Sequence, residues 1–61
     1  MNNAPTRLLS STEAASWLQL HPGHLANLRY RHAGPPFVKL GSAVRYRASD
    51  LEAWVEAGLH V

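Results

Sequence analysis

The spacing of apolar and polar residues changes period along the chain, and each change marks an element. Met1 to Arg7 is polar, contains Pro5 and shows no periodicity, so it reads as an N-terminal arm. Order begins at Leu8-Leu9. Ser10 and Glu13 have the S-x-x-E spacing of a capping box, in which each side chain satisfies an orphan N–H of the first helical turn, and Leu9 and Ala14 stand where a hydrophobic staple would close. Ala14, Ala15, Trp17 and Leu18 then form an apolar stripe that predicts a helix from Ser11 to about Leu18. Gln19-Leu20-His21 has room only for a tight turn. Pro22 suits the first position of a second helix, with its φ already helical, and His21 becomes that helix's N-cap. The second helix is expected to run to Ala33, where Gly34 suits a terminating left-handed residue and Pro35-Pro36 cannot continue the helix.

Beyond the prolines the period falls to two. FVKL and VRYR read as short strands joined near Gly41-Ser42, and two registers are open. A three-residue connection, Gly41-Ser42-Ala43, puts Val38, Leu40, Val44 and Tyr46 on one face and Lys39, Arg45 and Arg47 on the other. A two-residue Gly41-Ser42 turn instead pairs Phe37 with Tyr46 and splits the charges. An isolated hairpin is barely stable in water, so this one must pack on the helices. Ser49 and Glu52 suggest a second capping box, and Leu51, Trp54 and Val55 give the i, i+3, i+4 stripe of a third helix ending at Gly58.

Across the first turn, Ala15 followed by Leu20, Leu25 and Leu28 is the spacing of a helix-turn-helix. The small residue lets two helices cross closely, the turn leucine plugs the corner, and the last two leucines hold the second helix down. Gln19 occupies the turn position usually filled by glycine, where a left-handed side chain costs about 1 kcal/mol. The expected architecture is α+β: a small winged helix-turn-helix over residues 8–58, with three helices and a two-stranded β-hairpin wing between helices 2 and 3. Residues 1–7 form the arm and residues 59–61 a short tail.

Size and composition narrow the classes. A domain of 61 residues buries only about 60% of the surface its unfolded chain exposes, so its stability should be marginal. Trp17 and Trp54 look like the main sources of core area, and Trp54→Ala is expected to cost about 3 to 5 kcal/mol. With no cysteine there is neither a disulfide framework nor a thiolate zinc site. No apolar run approaches a membrane span and the N-terminus lacks a signal-peptide core, so the reading is a soluble, cytoplasmic chain with no membrane partner.

Net charge is +2, which understates how the charges are sorted. Arg29, Arg31, Lys39, Arg45 and Arg47 lie between Ala14 and Ser49 with no carboxylate among them, whereas Asp50, Glu52 and Glu56 fall in the last dozen residues. A basic face and an acidic end follow, and the basic face suits a polyanion. With Leu25 and Leu28 inward, the helical period turns Gly23, Ala26, Asn27 and Tyr30 outward, flanked by His24 and Arg31. An ordinary solvated helix would show Glu and Lys; an amide, a phenol, an imidazole and a guanidinium can read base edges instead. Arg29 turns more toward the protein, as a buried hydrogen-bonding or phosphate-clamping group. Lys39, Ser42, Arg45 and Arg47 would make the wing's contacts, and Arg7 is an ordinary arm residue.

Catalysis is not expected: the four histidines and the carboxylates show no nucleophile, base and orienter arrangement, and no Gly-rich phosphate loop is present. His21 and His24 at i and i+3 lack further ligands for a metal, so no metal or cofactor is expected. A protein-interaction module is the remaining competitor, and its mark would be an exposed apolar face where this chain is cationic.

From Leu8 to Trp54, in LLSSTEAASWL, LANLRYRHAGPPFVKLG and VRYRASDLEAW, the chain resembles the excisionase-like and phage-regulator-like small winged-helix proteins, related in their DNA-binding part to MerR-type regulators. It departs from the family pattern at His21, where serine or threonine is common, at Leu28, where an aromatic is common, and at His32, where glycine is frequent. The resemblance implies that the helix from Pro22 to Ala33 enters the major groove of double-stranded DNA and that the hairpin tipped by Gly41-Ser42 touches phosphates or the adjacent minor groove. It implies one of two roles. Either the protein is a recombination directionality factor that binds adjacent sites, bends DNA and drives an integrase toward excision in a bacterial host, or it is a small transcription regulator. The short stretch after the third helix suggests a monomer in free solution that meets neighbouring copies of itself on DNA.

Overall fold

A computed structural model describes residues 7–60. Of the expected arm, 1–6 lie outside the described residues, as does the last residue of the tail. The element order is β1 (Leu8–Ser10), α1 (Ser11–Leu18), α2 (Pro22–Tyr30), β2 (Val38–Leu40), β3 (Ala43–Arg47) and α3 (Ala48–Ala57). This is a small α+β fold whose three helices and antiparallel sheet have the form of a winged helix-turn-helix.

The capping box at Ser10 forms as its spacing requires. The Glu13 N–H donates to Ser10 Oγ at 3.1 Å and the Ser10 N–H donates to Glu13 Oε1 at 2.9 Å, while the staple residues Leu9 and Ala14 are both buried. At the other end of α1, Gln19 sits in the left-handed region, with φ 58° and ψ 39°. The Leu20 N–H reaches back to the Ala15 carbonyl at 2.8 Å and the Gln19 N–H to that of Ser16 at 3.0 Å, the hydrogen-bond pair of a Schellman turn. The turn is wound as a glycine would wind it, and the glutamine bears the strain.

The second helix starts where Pro22 predicts. His21 stands at its N-cap, and its Nδ1 accepts the Gly23 N–H at 3.0 Å, replacing the hydroxyl common at this position. Its end differs from expectation. The helix stops at Tyr30, three residues before Ala33, and the residue that turns left-handed is His32 (φ 57°), not Gly34. The His32 N–H donates to the Arg29 carbonyl at 3.1 Å and the Ala33 N–H to that of Leu28 at 2.9 Å, a second Schellman turn. Gly34 is needed for a different reason: a Cβ there would lie 2.9 Å from the Leu28 Cβ, closer than two carbons pack. The loop to the prolines lies against the helix it has just left.

The sheet has three strands where the sequence suggested two. β1 pairs antiparallel with β3 (Leu8↔Arg47, Leu9↔Tyr46, Ser10↔Arg45), and β2 pairs with the other edge of β3 (Val38↔Arg45, Lys39↔Val44, Leu40↔Ala43). The ladder runs on into α3, whose first N–H, that of Ala48, donates to the Arg7 carbonyl at 2.9 Å. Three residues are too few to show alternation, so β1 was legible only as a lead-in to the capping box. Its pairing supplies the support that an isolated hairpin lacks.

The register settles on the two-residue turn, and the sorting of all cations onto one face is overturned. Gly41 has φ 66° and no other residue of the turn is left-handed, the pattern of a II′ turn with glycine first. Because opposed residues share a face, Leu9, Tyr46, Val44 and Lys39 lie on the helix side of the sheet. Leu8, Ser10, Val38, Leu40, Ala43, Arg45 and Arg47 lie on the outer side. The Phe37 and Tyr46 rings stand 6.2 Å apart at 53°, as this register implies.

Two further expectations are corrected. The second capping box does not form: α3 begins at Ala48, so Ser49 is inside the helix and Arg47 is the N-cap. There Arg47 Nε donates to Asp50 Oδ2 at 2.7 Å. Nor do the tryptophans make the core. The buried cluster is Leu9, Ala14, Ala15, Leu25, Tyr46 and Leu51, with Leu18, Val44 and Ala48 packed against it; Trp17 is 47% exposed and Trp54 only partly buried. The largest fully buried side chain is Tyr46. A cost of about 3 to 5 kcal/mol for truncation belongs to fully buried groups such as Leu25 and Leu51, not to Trp54.

Candidate nucleic-acid interface

The inward stripe of α2 determines what its other side presents. Leu25 is fully buried and Leu28 partly so, which leaves Gly23, His24, Asn27, Tyr30 and Arg31 exposed along the helix, with Ala26 partly buried beside them. Tyr30 is 86% exposed, an extreme value for a large aromatic side chain. Gly23 has a second task besides lowering the profile of this face: a Cβ on it would approach His21 Nδ1 to 3.2 Å, so the histidine cap fits best over glycine. No acidic residue occupies the first turn of α2, so the positive end of the helix dipole is uncompensated.

Arg29 is turned inward, as the period predicts, and it ties three elements together. Its Nη1 donates to Tyr46 Oη at 3.0 Å on β3 and to Ser11 Oγ at 3.1 Å at the start of α1. Its guanidinium also lies 5.9 Å from the centre of the Phe37 ring, just before β2. Tyr46 could not be buried without a partner for its hydroxyl, and Arg29 supplies one. Beside the guanidinium is an open hollow of about 330 Å³ lined by His32, Gly34, Pro35, Pro36 and Phe37. Ser11 and Tyr46 were not singled out from the sequence as Arg29's partners; the available signal was a hydroxyl bordering each apolar stripe.

The wing carries its cations separately. Lys39 and Ser42 are exposed at the tip, whereas Arg45 lies partly buried on the outer sheet face, with Nη1 donating to the Val44 carbonyl at 2.7 Å. Arg47 is at the far end of β3 and is engaged by Asp50. The polar groups left exposed and unengaged by the fold are therefore those of the α2 face and, at the tip of the wing, Lys39 and Ser42. Arg29 and Arg47 serve the fold first.

Glu13 titrates below the ordinary carboxylate range, chiefly because the Ser10 N–H donates to its charged form. Among the described residues there is no cluster of three or more His, Asp or Glu side chains able to hold a metal ion, and no helix is long and apolar enough to cross a membrane.

An exposed helix bearing hydrogen-bonding and stacking groups, held by a second helix across a tight turn and flanked by a cationic hairpin, is the arrangement that places a helix in the major groove. Comparison with curated proteins finds no similar sequence. The sequence pattern of a helix-turn-helix domain family matches residues 8–58, the span of all six elements. The chain belongs to this excisionase-like helix-turn-helix domain family and is a DNA-binding protein.

Proposed function

We propose that the protein is a non-catalytic, sequence-specific excisionase of a phage or mobile element. In this reading it binds adjacent sites on double-stranded DNA cooperatively, bends them, and directs a tyrosine or serine recombinase toward excision. The observation that carries the reading is the α2 face: Asn27, Tyr30, His24 and Arg31 are all exposed within a stretch from Ala14 to Ser49 that contains no carboxylate. Asn27 suits adenine, Arg31 suits guanine, and Gly23 allows close approach of the helix N-terminus. Lys39, Ser42 and Arg45 make backbone contacts from the wing.

One nine-residue helix and a short hairpin offer few contacts, so a single copy binds weakly and with strong salt dependence. Neighbouring copies and a recombinase partner supply what one copy lacks, which suits an architectural role better than that of a stand-alone repressor. The test is to recover fragments of source DNA bound by the purified protein at near-physiological salt and to footprint them. Several short repeats beside an integrase attachment site are the expected result. Footprints at promoters remote from any recombination locus would assign the protein instead to transcription regulation.

A further inference from the structure

Leu40 is a large apolar residue in an unusual place. It is the last residue of β2, immediately before the Gly41-Ser42 turn, and it is 52% exposed on the outer face of the sheet. Its cross-strand partner is Ala43, which offers only a methyl group, and Val38 precedes it on the same face. A side chain added at Gly41 would meet nothing within 4 Å, which shows that the tip projects into open space. Leu40 does not belong to a continuous apolar patch with Leu8, the other exposed leucine of this face. Leu8 pairs opposite Arg47 and Leu40 opposite Ala43, four residues along β3, with the Ser10-Arg45-Val38 row between them. A surface for a protein partner would be a large contiguous patch; Leu40 with only Val38 and Ala43 beside it at a hairpin tip is not.

Its surroundings point to a different occupant. Arg45 lies on the same outer face, which Val38 and Ala43 complete, Lys39 stands on the opposite face of the tip, and no acidic residue lies between Ala14 and Ser49. The hairpin is anchored at Phe37, beneath the Arg29 guanidinium, and the three residues from there to Leu40 carry the tip roughly 10 Å outward. The minor groove is about 6 Å wide and about 7.5 Å deep, so a two-stranded tip of this reach enters it by widening it. Proteins that enter the minor groove commonly insert one apolar side chain between base pairs, kinking the duplex, with cations on the adjacent phosphates.

Resting on the proposed DNA-bending role, we infer that Leu40 is the wedge: the outer face of the wing tip lies on the minor-groove floor, and the Leu40 side chain enters a base step while Arg45, on the same face, holds the flanking backbone and Lys39, on the opposite face of β2, adds to the positive charge of the tip. Flexible pyrimidine–purine steps are the sequences it would favour, because they unstack most readily.

The probe is a mixed-sequence duplex of about 150 bp, near one persistence length, whose closure into rings by ligase reports bending. Filter binding of the same duplex at low salt reports affinity. Wild-type protein is expected to raise ring closure several-fold. Leu40→Ala should abolish that gain while changing affinity by less than about threefold, and Leu40→Met, which keeps an apolar wedge, should retain it. Circular dichroism checks that both variants fold, and a 2-aminopurine reporter at a TA step should brighten with wild type and Leu40→Met alone. Equal gains in ring closure by Leu40→Ala and wild type overturn the wedge and leave the bending role standing, whereas wild-type binding with no gain in closure overturns the bending role together with the wedge and leaves only DNA binding. Wild-type protein that binds no duplex at all overturns all three.

Discussion

Two side chains sit where glycine is the usual solution, and both end helices. Gln19 and His32 hold positive φ because the Schellman hydrogen bonds around them, to Ala15 and Ser16 and to Leu28 and Arg29, require it. Relief of the strain is worth about 1 kcal/mol, against a smaller entropic cost of glycine in the unfolded chain. Gln19→Gly should therefore stabilise the protein by roughly 0.5 kcal/mol in urea unfolding, whereas Ser16→Gly, one turn earlier on the exposed side of α1, should destabilise it by about as much. The same change with opposite sign at two nearby positions isolates the backbone effect. Glu13 makes a pH prediction at this scale. Its folded-state pKa is lowered by the Ser10 N–H, so its contribution to stability is fully present above the ordinary carboxylate range and is lost as pH falls through the lowered value. Acid titration of the unfolding midpoint should show a shallower acid limb in Glu13→Gln than in wild type.

Besides the apolar cluster, one guanidinium ties the elements together. Arg29 joins α2 to Ser11 at the head of α1 and to Tyr46 at the centre of the sheet. In Arg29→Met the stem still packs, but the Tyr46 hydroxyl loses its donor, and the expected cost is about 1 to 3 kcal/mol by denaturant unfolding. The added Tyr46→Phe change should recover part of it, since no buried hydroxyl then lacks a partner. If the double variant is no more stable than Arg29→Met, the hydroxyl is not what Arg29 serves. The Arg47–Asp50 pair is exposed and contributes little by comparison.

For the molecule as a whole, the separation of an α2 reading face from a cationic wing predicts two kinds of DNA-binding variant. Asn27→Ala should lower discrimination at one base position by about 1 to 3 kcal/mol, seen as a flattened preference across single-base variants of the footprinted site. Arg45→Ala should weaken binding to all sequences alike and reduce the slope of log K against log salt by about one unit. A sequence-dependent loss for Arg45→Ala would place that guanidinium on base edges. Stability limits all such experiments: six buried residues make a small core, and Leu25→Ala or Leu51→Ala would remove much of it.

Local signals were legible wherever a residue's neighbours in sequence are also its neighbours in space. The capping box at Ser10 and Glu13, the proline start of α2 behind His21, the left-handed turn at Gln19 and the stop at Gly58 all belong to that class, as does the exposed face of α2, which helical period alone defines. Pairing and burial across the fold were not. β1 is three residues long and becomes a strand only because β3 offers it an edge, and Arg47 caps α3 only because that helix follows β3 without a linker. Which aromatic fills the core was likewise decided in three dimensions: Tyr46 lies at the centre of the sheet, with Arg29 to satisfy its hydroxyl, while Trp17 stands on the outside of α1. Periodicity is a property of one element, so the sequence determined the three helices, their exposed faces and the existence of the hairpin. Register, core membership and the partner of each buried polar group depend on the distance between elements, and that only the tertiary structure decided.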